Sequence, residues 1–184
     1  MRSRSMALLL GMAGCASHGA SRCPGHGTAF APPTVPPELE VPDGNELTLV
    51  AAGAGVQIYE CAADTGGVLA WQLHAPRAEL FDGCGALLGS HFGGVDKGLP
   101  AGPYWEAKDG SRVHGANPVS VPNGGAIPLL RVEAADTSGI GVFANVTFIQ
   151  RLNTTGGVAP PGACEAGRRT EVRYTATYYF YSKS

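Results

Sequence analysis

Beyond Glu38 the chain alternates apolar and polar residues with a period of two. The last segment, TEVRYTATYYFYS, shows this best, because aromatic and aliphatic residues fall on every second position and arginine or threonine lies between them. Successive side chains of a β-strand point to opposite faces, and strands are rich in β-branched and aromatic residues. The segment therefore predicts a half-buried strand, with one face formed by Val172, Tyr174, Ala176, Tyr178 and Phe180.

Three further segments alternate in the same way and predict three more strands: GVQIYEC, VLAWQLHA and GVFANVTFIQRLN. Because Trp71 alternates with two leucines, we expect it to lie inside the protein. The positions predicted to share a face are Val56 with Ile58, Leu69 with Trp71 and Leu73, and Val142 with Ala144, Val146 and Phe148.

Turn motifs separate the apolar segments: DTGG at residue 64, DG at 82 and 109, NGG at 123 and TTGG at 154. Aspartate or asparagine followed by glycine is typical of tight hairpin turns. The sequence has no long apolar stripe with the 3.6-residue period of a helix. Short strands without intervening helices predict a single all-β domain, built as an antiparallel sandwich or flattened barrel.

The N-terminal residues resemble a secretory signal peptide. Arg2 and Arg4 form the positive region, residues 6–12 form a short apolar run, and small residues precede Cys15. The ending AGC resembles the lipobox of bacterial lipoproteins, which makes Cys15 the candidate lipidated residue. Cleavage without lipidation is the alternative. The apolar run is much shorter than the roughly 20 residues that a membrane-spanning helix needs.

These features divide the chain into a leader at 1–15, a proline-rich tether at 16–37 and a β domain at 38–184. Repeated prolines favour extended chain over hydrogen-bonded structure. We therefore expect an exported protein of the bacterial cell envelope, either held to the membrane only through a lipid on Cys15 or secreted.

An exported protein is expected to pair its cysteines, because disulfides form in oxidising compartments. With Cys15 set aside, Cys23, Cys61, Cys84 and Cys164 remain, and they allow three pairings among which the residues alone do not choose. Cys61 ends a predicted strand and Cys164 lies in the last loop, so a bridge between them would join an early strand to a late one. The chain has no C-x-x-C motif of the zinc or thioredoxin type.

Charge and motifs exclude several classes of function. Only 15% of residues are charged and the net charge is −2, which argues against the basic surface that nucleic acid requires. The dinucleotide fingerprint G-x-G-x-x-G and the nucleophile motif G-x-S-x-G are both missing. The sequence thus indicates no cofactor and favours binding over catalysis.

Two histidines lie near acidic residues in the sequence. His91 and His114, with Glu106 or Asp109, supply residue types that ligate zinc, copper or iron. A histidine beside a carboxylate can also act as an acid or base. Their separation matches no local ligand spacing, so the alternative is two histidines at a surface or strand edge.

The segment YWEAKDGSRVHGA, residues 104–116, also offers a candidate ligand platform. Tyr104 and Trp105 could present aromatic rings to a flat ligand, with Glu106 and Asp109 as polar contacts. The alternative is an ordinary hairpin around the DG turn, with Trp105 inside and Glu106 outside.

Several stretches together resemble one family, domain of unknown function 3455, over about residues 36–182. The resemblance rests on PPELEVPDGNELTLVAAGAGVQIYEC, the pattern W-x-L-x-A-P-x-A-x-L-F-D, GSHF, GPYWEAKDGSRVHG and IPLLRV. It continues from QRLNTTGG to the end of the last predicted strand.

The resemblance implies an exported protein of bacterial or fungal type with no established activity, and it carries over no catalytic residue. Some fungal members bear a malate dehydrogenase label, which we reject for this chain because it lacks the cofactor fingerprint that such chemistry requires. Cys61 and Cys164 match cysteine positions of the family pattern, which implies a disulfide between them.

Three functions remain open from the sequence. The first is a non-catalytic envelope module that binds a carbohydrate or an envelope protein through an exposed aromatic patch around Trp105. The second is a metal-dependent enzyme with a site around His91 and His114. The third is a purely structural domain.

Overall fold

The computed structural model describes residues 30–184. The leader, Cys15 and the first part of the predicted tether lie outside the described residues. Two short 3-10 turns, at Pro37–Leu39 and Gly94–Lys97, accompany the strands. The eight strands of the described part are β1 (Asn45–Ala63), β2 (Leu69–Phe81), β3 (Leu87–Gly93), β4 (Pro103–Ala107), β5 (Arg112–Asn123), β6 (Ala126–Ser138), β7 (Val146–Gly156) and β8 (Arg169–Lys183).

The eight strands form one antiparallel sheet that closes into a ring. Each strand pairs with the next along the chain, and the last strand, β8, pairs with β1 from Asn45 to Glu60. The predicted all-β, antiparallel, single-domain architecture is therefore confirmed. The sheet is continuous, so the core lies inside the ring.

Four of the predicted hairpin turns are confirmed. The DTGG, NGG and two DG motifs each connect consecutive strands. In the first of them the Asp64 carboxylate accepts hydrogen bonds from the backbone N–H of Gly66 and Val68, and Asp82 does the same for its own turn. The TTGG motif instead lies at the end of β7, which continues to Gly156, and the connection to β8 is the long loop 157–168.

The interior is apolar and aromatic over most of its length. The predicted face of β8 is confirmed for Tyr174, Ala176, Tyr178 and Phe180, which are all buried in the core, whereas Val172 is only partly buried. Strand β7 begins only at Val146, so Val142 and Ala144 belong to the preceding loop. That loop contributes Phe143, which is fully buried and lies 4.7 Å from the Phe180 ring.

The prediction that Trp71 lies inside is wrong. Leu69, Trp71 and Leu73 do share a face, but Leu69 and Leu73 are exposed and Trp71 is partly exposed. The reason is that β3 pairs with β2 only at Arg77–Phe81. The first half of β2 therefore extends beyond the ring, where no strand covers its inner face.

On β1 the inward face is also different from the one suggested by the apolar residues. Gln57 is almost completely buried, whereas its neighbours Val56 and Ile58 are only partly buried. Two residues earlier on the same face stands Gly55, where a Cβ atom would collide with the backbone of Arg77 and Ala78. Close approach of the β1 and β2 backbones thus selects glycine rather than an apolar side chain at that position.

The residues at the junction of the predicted tether and the β domain pack against the outside of the sheet. Leu39 is fully buried, and the Gln150 amide of β7 donates a 2.7 Å hydrogen bond to its carbonyl. Residues 33–36 lie along a groove formed with Leu129 and Leu152. No helix within residues 30–184 has the length and apolar character needed to cross a membrane.

The predicted disulfide between Cys61 and Cys164 is confirmed, with a Cα–Cα distance of 5.8 Å. It fixes the long β7–β8 loop to the end of β1. The backbone N–H of Cys61 also donates to the carbonyl of Arg168, so the loop is held by both covalent and hydrogen bonds.

Candidate functional site

A cavity of about 360 Å³ lies inside the ring at the end where the β1–β2 hairpin extends, and we call it the interior cavity. Its exposed rim includes Leu73 and Val95, so it reaches the protein surface. Pockets of this size accommodate small organic molecules. The inner wall is contributed by six of the strands, through Gln57, His91, Trp105, Val132, Arg151 and Tyr178.

Small residues create the space for this cavity. Ala75, Gly93, Gly102 and Gly115 all line it. A Cβ atom at Gly93 would come within 2.7 Å of the Ala75 Cβ, and one at Gly115 would come within 3.0 Å of the Trp105 ring. The strands therefore approach closely around the cavity, and larger side chains at these positions would displace its walls.

Gln57 is a buried amide without a hydrogen-bond partner. Its side chain is 1% exposed, and neither Nε2 nor Oε1 is bonded within the described part of the protein. The indole Nε1 of Trp105, also 1% exposed, is unpartnered as well. A buried polar group without a partner costs roughly 1–3 kcal/mol, and few native structures retain many.

These unpartnered groups are concentrated at the cavity. Four side chains in residues 30–184 bury an unpartnered polar atom, and three of them, Gln57, Trp105 and Arg151, line the interior cavity. Such polar groups in an otherwise apolar pocket are the usual means of orienting a ligand.

His91 is held neutral beside the cavity. It is 2% exposed, its Nδ1 lies 2.8 Å from the Tyr104 carbonyl, and its ring stacks on Trp105 at a centroid distance of 4.5 Å. Burial lowers the pKa of His91 to about 3, against the opposing effect of the Tyr104 carbonyl. Because a carbonyl only accepts, Nδ1 carries the proton, and Nε2 is left as an acceptor.

Arg151 brings a positive charge to the cavity wall. Its Nη2 donates to the Pro128 carbonyl at 2.9 Å, and its Nε is buried without a partner. None of the cavity-lining residues in the described chain is an aspartate or glutamate. Burial raises the pKa of Tyr178 well above its ordinary value, and the Arg151 charge partly opposes that rise.

The structure does not bring the two candidate metal-ligating histidines together. His91 pairs across the strands with Trp105, and Trp105 with Val113, all on the inner face. His114 pairs with Tyr104 on the outer face, where the two rings stack at 4.3 Å. Within residues 30–184 no three histidine, cysteine or acidic side chains form a group that could hold a metal ion.

Of the predicted aromatic platform, only Trp105 reaches the cavity. Tyr104 is buried on the other face of β4, so the two rings form no exposed patch. Glu106 lies 3.5 Å from Arg112 in a partly exposed ion pair. Asp109 accepts hydrogen bonds from Ser111 and from the Val142 N–H, and so attaches the DG turn to the loop before β7.

Sequence reasoning missed Gln57 and Arg151 as site residues. Both occupy positions where the alternation of their strand places an inward side chain, two residues from a buried residue, Tyr59 for Gln57 and Ile149 for Arg151. A polar residue at an inward position is the available signal. This signal can be used only when it is known which face of each strand points inward.

The chain belongs to the family described as protein of unknown function (DUF3455), whose family model matches residues 42–182. All six inner-wall residues of the interior cavity lie within the matched region. Comparison with curated proteins and with solved structures gives no match.

Proposed function

We propose that this protein is an exported, non-catalytic binding module of the bacterial envelope, anchored through Cys15, whose interior cavity holds a small organic ligand. The single observation that carries the binding function is the Gln57 amide, which is 99% buried yet unpartnered and lines the cavity. A protein that needed this wall only for packing would be more stable with an apolar residue there.

Export has separate support. The leader has the charged, apolar and small-residue regions of a secretory signal, and it ends at a lipobox-like cysteine. The Cys61–Cys164 disulfide fits an oxidising compartment. Cys84 is also disulfide-bonded.

The geometry favours an interior ligand over the other candidates. A surface carbohydrate site needs an exposed aromatic platform, whereas Trp105 is 1% exposed and faces inward. A metal centre built from His91 and His114 needs both side chains on one face, and they lie on opposite faces.

Binding to a neutral aromatic probe, naphthalene-2-carboxamide, tests the proposal by isothermal titration calorimetry on the full chain. The expected result is one probe bound per chain. Leu130→Trp should abolish binding, because Leu130 lines the cavity and indole would fill it. Leu129→Trp is the matched control, since the adjacent residue lies in the outer groove and its replacement should leave binding intact.

Two outcomes would count against the proposal. Loss of binding in both variants would show that the probe does not enter the cavity. Failure of the wild-type chain to bind this probe or any charged analogue of the same ring system would remove the interior ligand altogether.

A further inference from the structure

We infer that the ligand of the interior cavity is an organic anion, in which a carboxylate is attached to a compact apolar body. This inference rests on the proposed function, because it requires an interior ligand. It adds the sign of the ligand's charge and the type of group that the polar wall receives.

The charged residues that line the cavity determine the sign of the ligand's charge. Arg151 is the one arginine or lysine among the cavity-lining residues of the described chain, none of which is acidic, and His91 is neutral. The other lining histidine, His74, already has a carboxylate partner, Asp96, at 2.7 Å. The ion pairs found in residues 30–184 do not include Arg151, and its hydrogen-bond partners, the Pro128 carbonyl and Tyr178, are neutral. A charge in a pocket of low polarity is compensated best by an opposite charge within the same pocket.

The hydrogen-bonding capacity of the unpartnered wall atoms determines which functional group the ligand presents to them. The unpartnered donors at the wall are the Arg151 Nε–H, the Trp105 indole N–H and the Gln57 NH₂. A carboxylate only accepts, and its two oxygens match a guanidinium and a neighbouring donor. The acceptors Gln57 Oε1 and His91 Nε2 remain available to a hydroxyl group on the same ligand.

The remaining lining requires an apolar body. Leu130, Val132 and Pro118 border the cavity together with the exposed rim residues Leu73 and Val95. An inorganic anion would satisfy the polar wall but would leave these side chains without contact. A flat ring system can cover them and also pack beside Trp105.

Three probes that share one ring system test the inference: naphthalene-2-carboxylate, naphthalene-2-carboxamide and naphthalen-2-ylmethylammonium. Calorimetry on the full chain at pH 7 should give an affinity for the carboxylate at least about tenfold above that for the carboxamide, with the ammonium weakest. Equal affinities for carboxylate and carboxamide, or a preference for the ammonium, would overturn the inference while leaving the proposed function intact. Binding of none of the three would instead refute the proposed function.

Two variants that each remove one positive charge test which arginine is responsible for the preference for the carboxylate. Arg151→Met should reduce carboxylate affinity about tenfold or more and reduce carboxamide affinity by a smaller factor, so that the preference for the carboxylate is lost. Arg131→Met is the matched control, because Arg131 is on the adjacent strand and donates to the Glu40 carbonyl on the outer face. It changes the net charge equally and should keep the preference.

The wild-type comparison of the three probes needs no variant, so the inference stays testable if Arg151→Met does not fold. Arg151→Lys then supplies a second measurement. It keeps the charge and is expected to keep a carboxylate preference, and an equal affinity for carboxylate and carboxamide in that folded variant would contradict the role of the charge.

Discussion

His91, which lies beside the cavity, makes the stability of the folded protein depend on pH. Its pKa in the folded protein is about 3, against 6.5 for an unperturbed histidine, chiefly because burial disfavours the charged imidazolium. Between these two pH values the unfolded chain binds a proton that the folded chain does not. The stability associated with a neutral His91 is therefore fully present above pH 6.5 and is lost as the pH falls toward 3.

We expect the free energy of unfolding to contain a His91 contribution that decreases by about 2–3 kcal/mol between pH 7 and pH 4.5. Urea unfolding at both pH values, compared between the wild-type chain and His91→Gln, measures it. The variant should lose less stability on acidification. Equal losses in the two proteins would show that His91 is not buried in its neutral form.

Gln57 and Gln150 are two buried glutamines that differ in whether their side chains have hydrogen-bond partners. Both are 1% exposed, but Gln150 donates to Leu39 and accepts a 2.8 Å hydrogen bond from the Tyr181 hydroxyl, whereas Gln57 is unpartnered. Without added ligand, Gln57→Leu should raise the free energy of unfolding by about 1–2 kcal/mol, and Gln150→Leu should lower it by about 1–3 kcal/mol.

Urea unfolding of both variants measures these changes, and titration with naphthalene-2-carboxylate measures the functional effect. Gln57→Leu should bind the probe more weakly than the wild-type chain despite its greater stability, as is common for residues kept for function. A destabilised Gln57→Leu protein would mean that the amide has a structural role.

Among the elements, the long loop between β7 and β8 depends on its disulfide. The Cys61–Cys164 bridge spans a sequence separation of 103 residues. On the chain-entropy account, closing a loop of this length stabilises the fold by about 4–5 kcal/mol. The loop also carries Gly157, whose carbonyl accepts a 2.6 Å hydrogen bond from Tyr59.

Replacing both cysteines, Cys61→Ser with Cys164→Ser, should lower the free energy of unfolding by about 4 kcal/mol. Urea unfolding of this double variant tests the value without a reductant, which would also attack the disulfide of Cys84. The single variant Cys61→Ser breaks the same bridge, leaves Cys164 as a free thiol and should lose a similar amount of stability. A double variant as stable as the wild type would contradict the entropic contribution.

Strands β8 and β2 show when an alternating sequence pattern predicts the buried face of a strand and when it does not. In β8 alternation predicted the buried face correctly, because that strand is paired along its length with β1 and with much of β7. In β2 the same pattern put Trp71 inside, although that half of the strand lies beyond the reach of β3. A sequence pattern reports a shared face, and only the neighbouring strands decide whether that face is covered.

At the scale of the whole molecule, the segment that packs on the sheet at Leu39 connects the β domain to the N-terminal residues that we propose to be a leader. If the leader is processed at its lipobox, the lipid will be attached to Cys15, and the domain will lie close to the membrane. Expression of the full chain in a bacterial host with labelled palmitate should give a labelled, membrane-associated protein.

Cys15→Ser should lose the label and be recovered in the soluble periplasmic or secreted fraction, with the same Cys61–Cys164 disulfide. Cys23→Ser is the matched control and should keep the label. A wild-type protein that is exported but carries no label would support ordinary signal-peptide cleavage, and one that stays in the cytoplasm would refute export.

The sequence by itself determined the all-β class, most hairpin turns, the family and the residues of the observed disulfide. These are properties of local alternation, of Asp–Gly and Asn–Gly turn chemistry and of family resemblance. The tertiary structure decided that the sheet closes on itself, which residues cover one another and where the cavity lies. Gln57 of β1 and Arg151 of β7 meet at one cavity only because β8 joins both strands in the closed ring. A pattern with a period of two carries no information about pairing between distant strands.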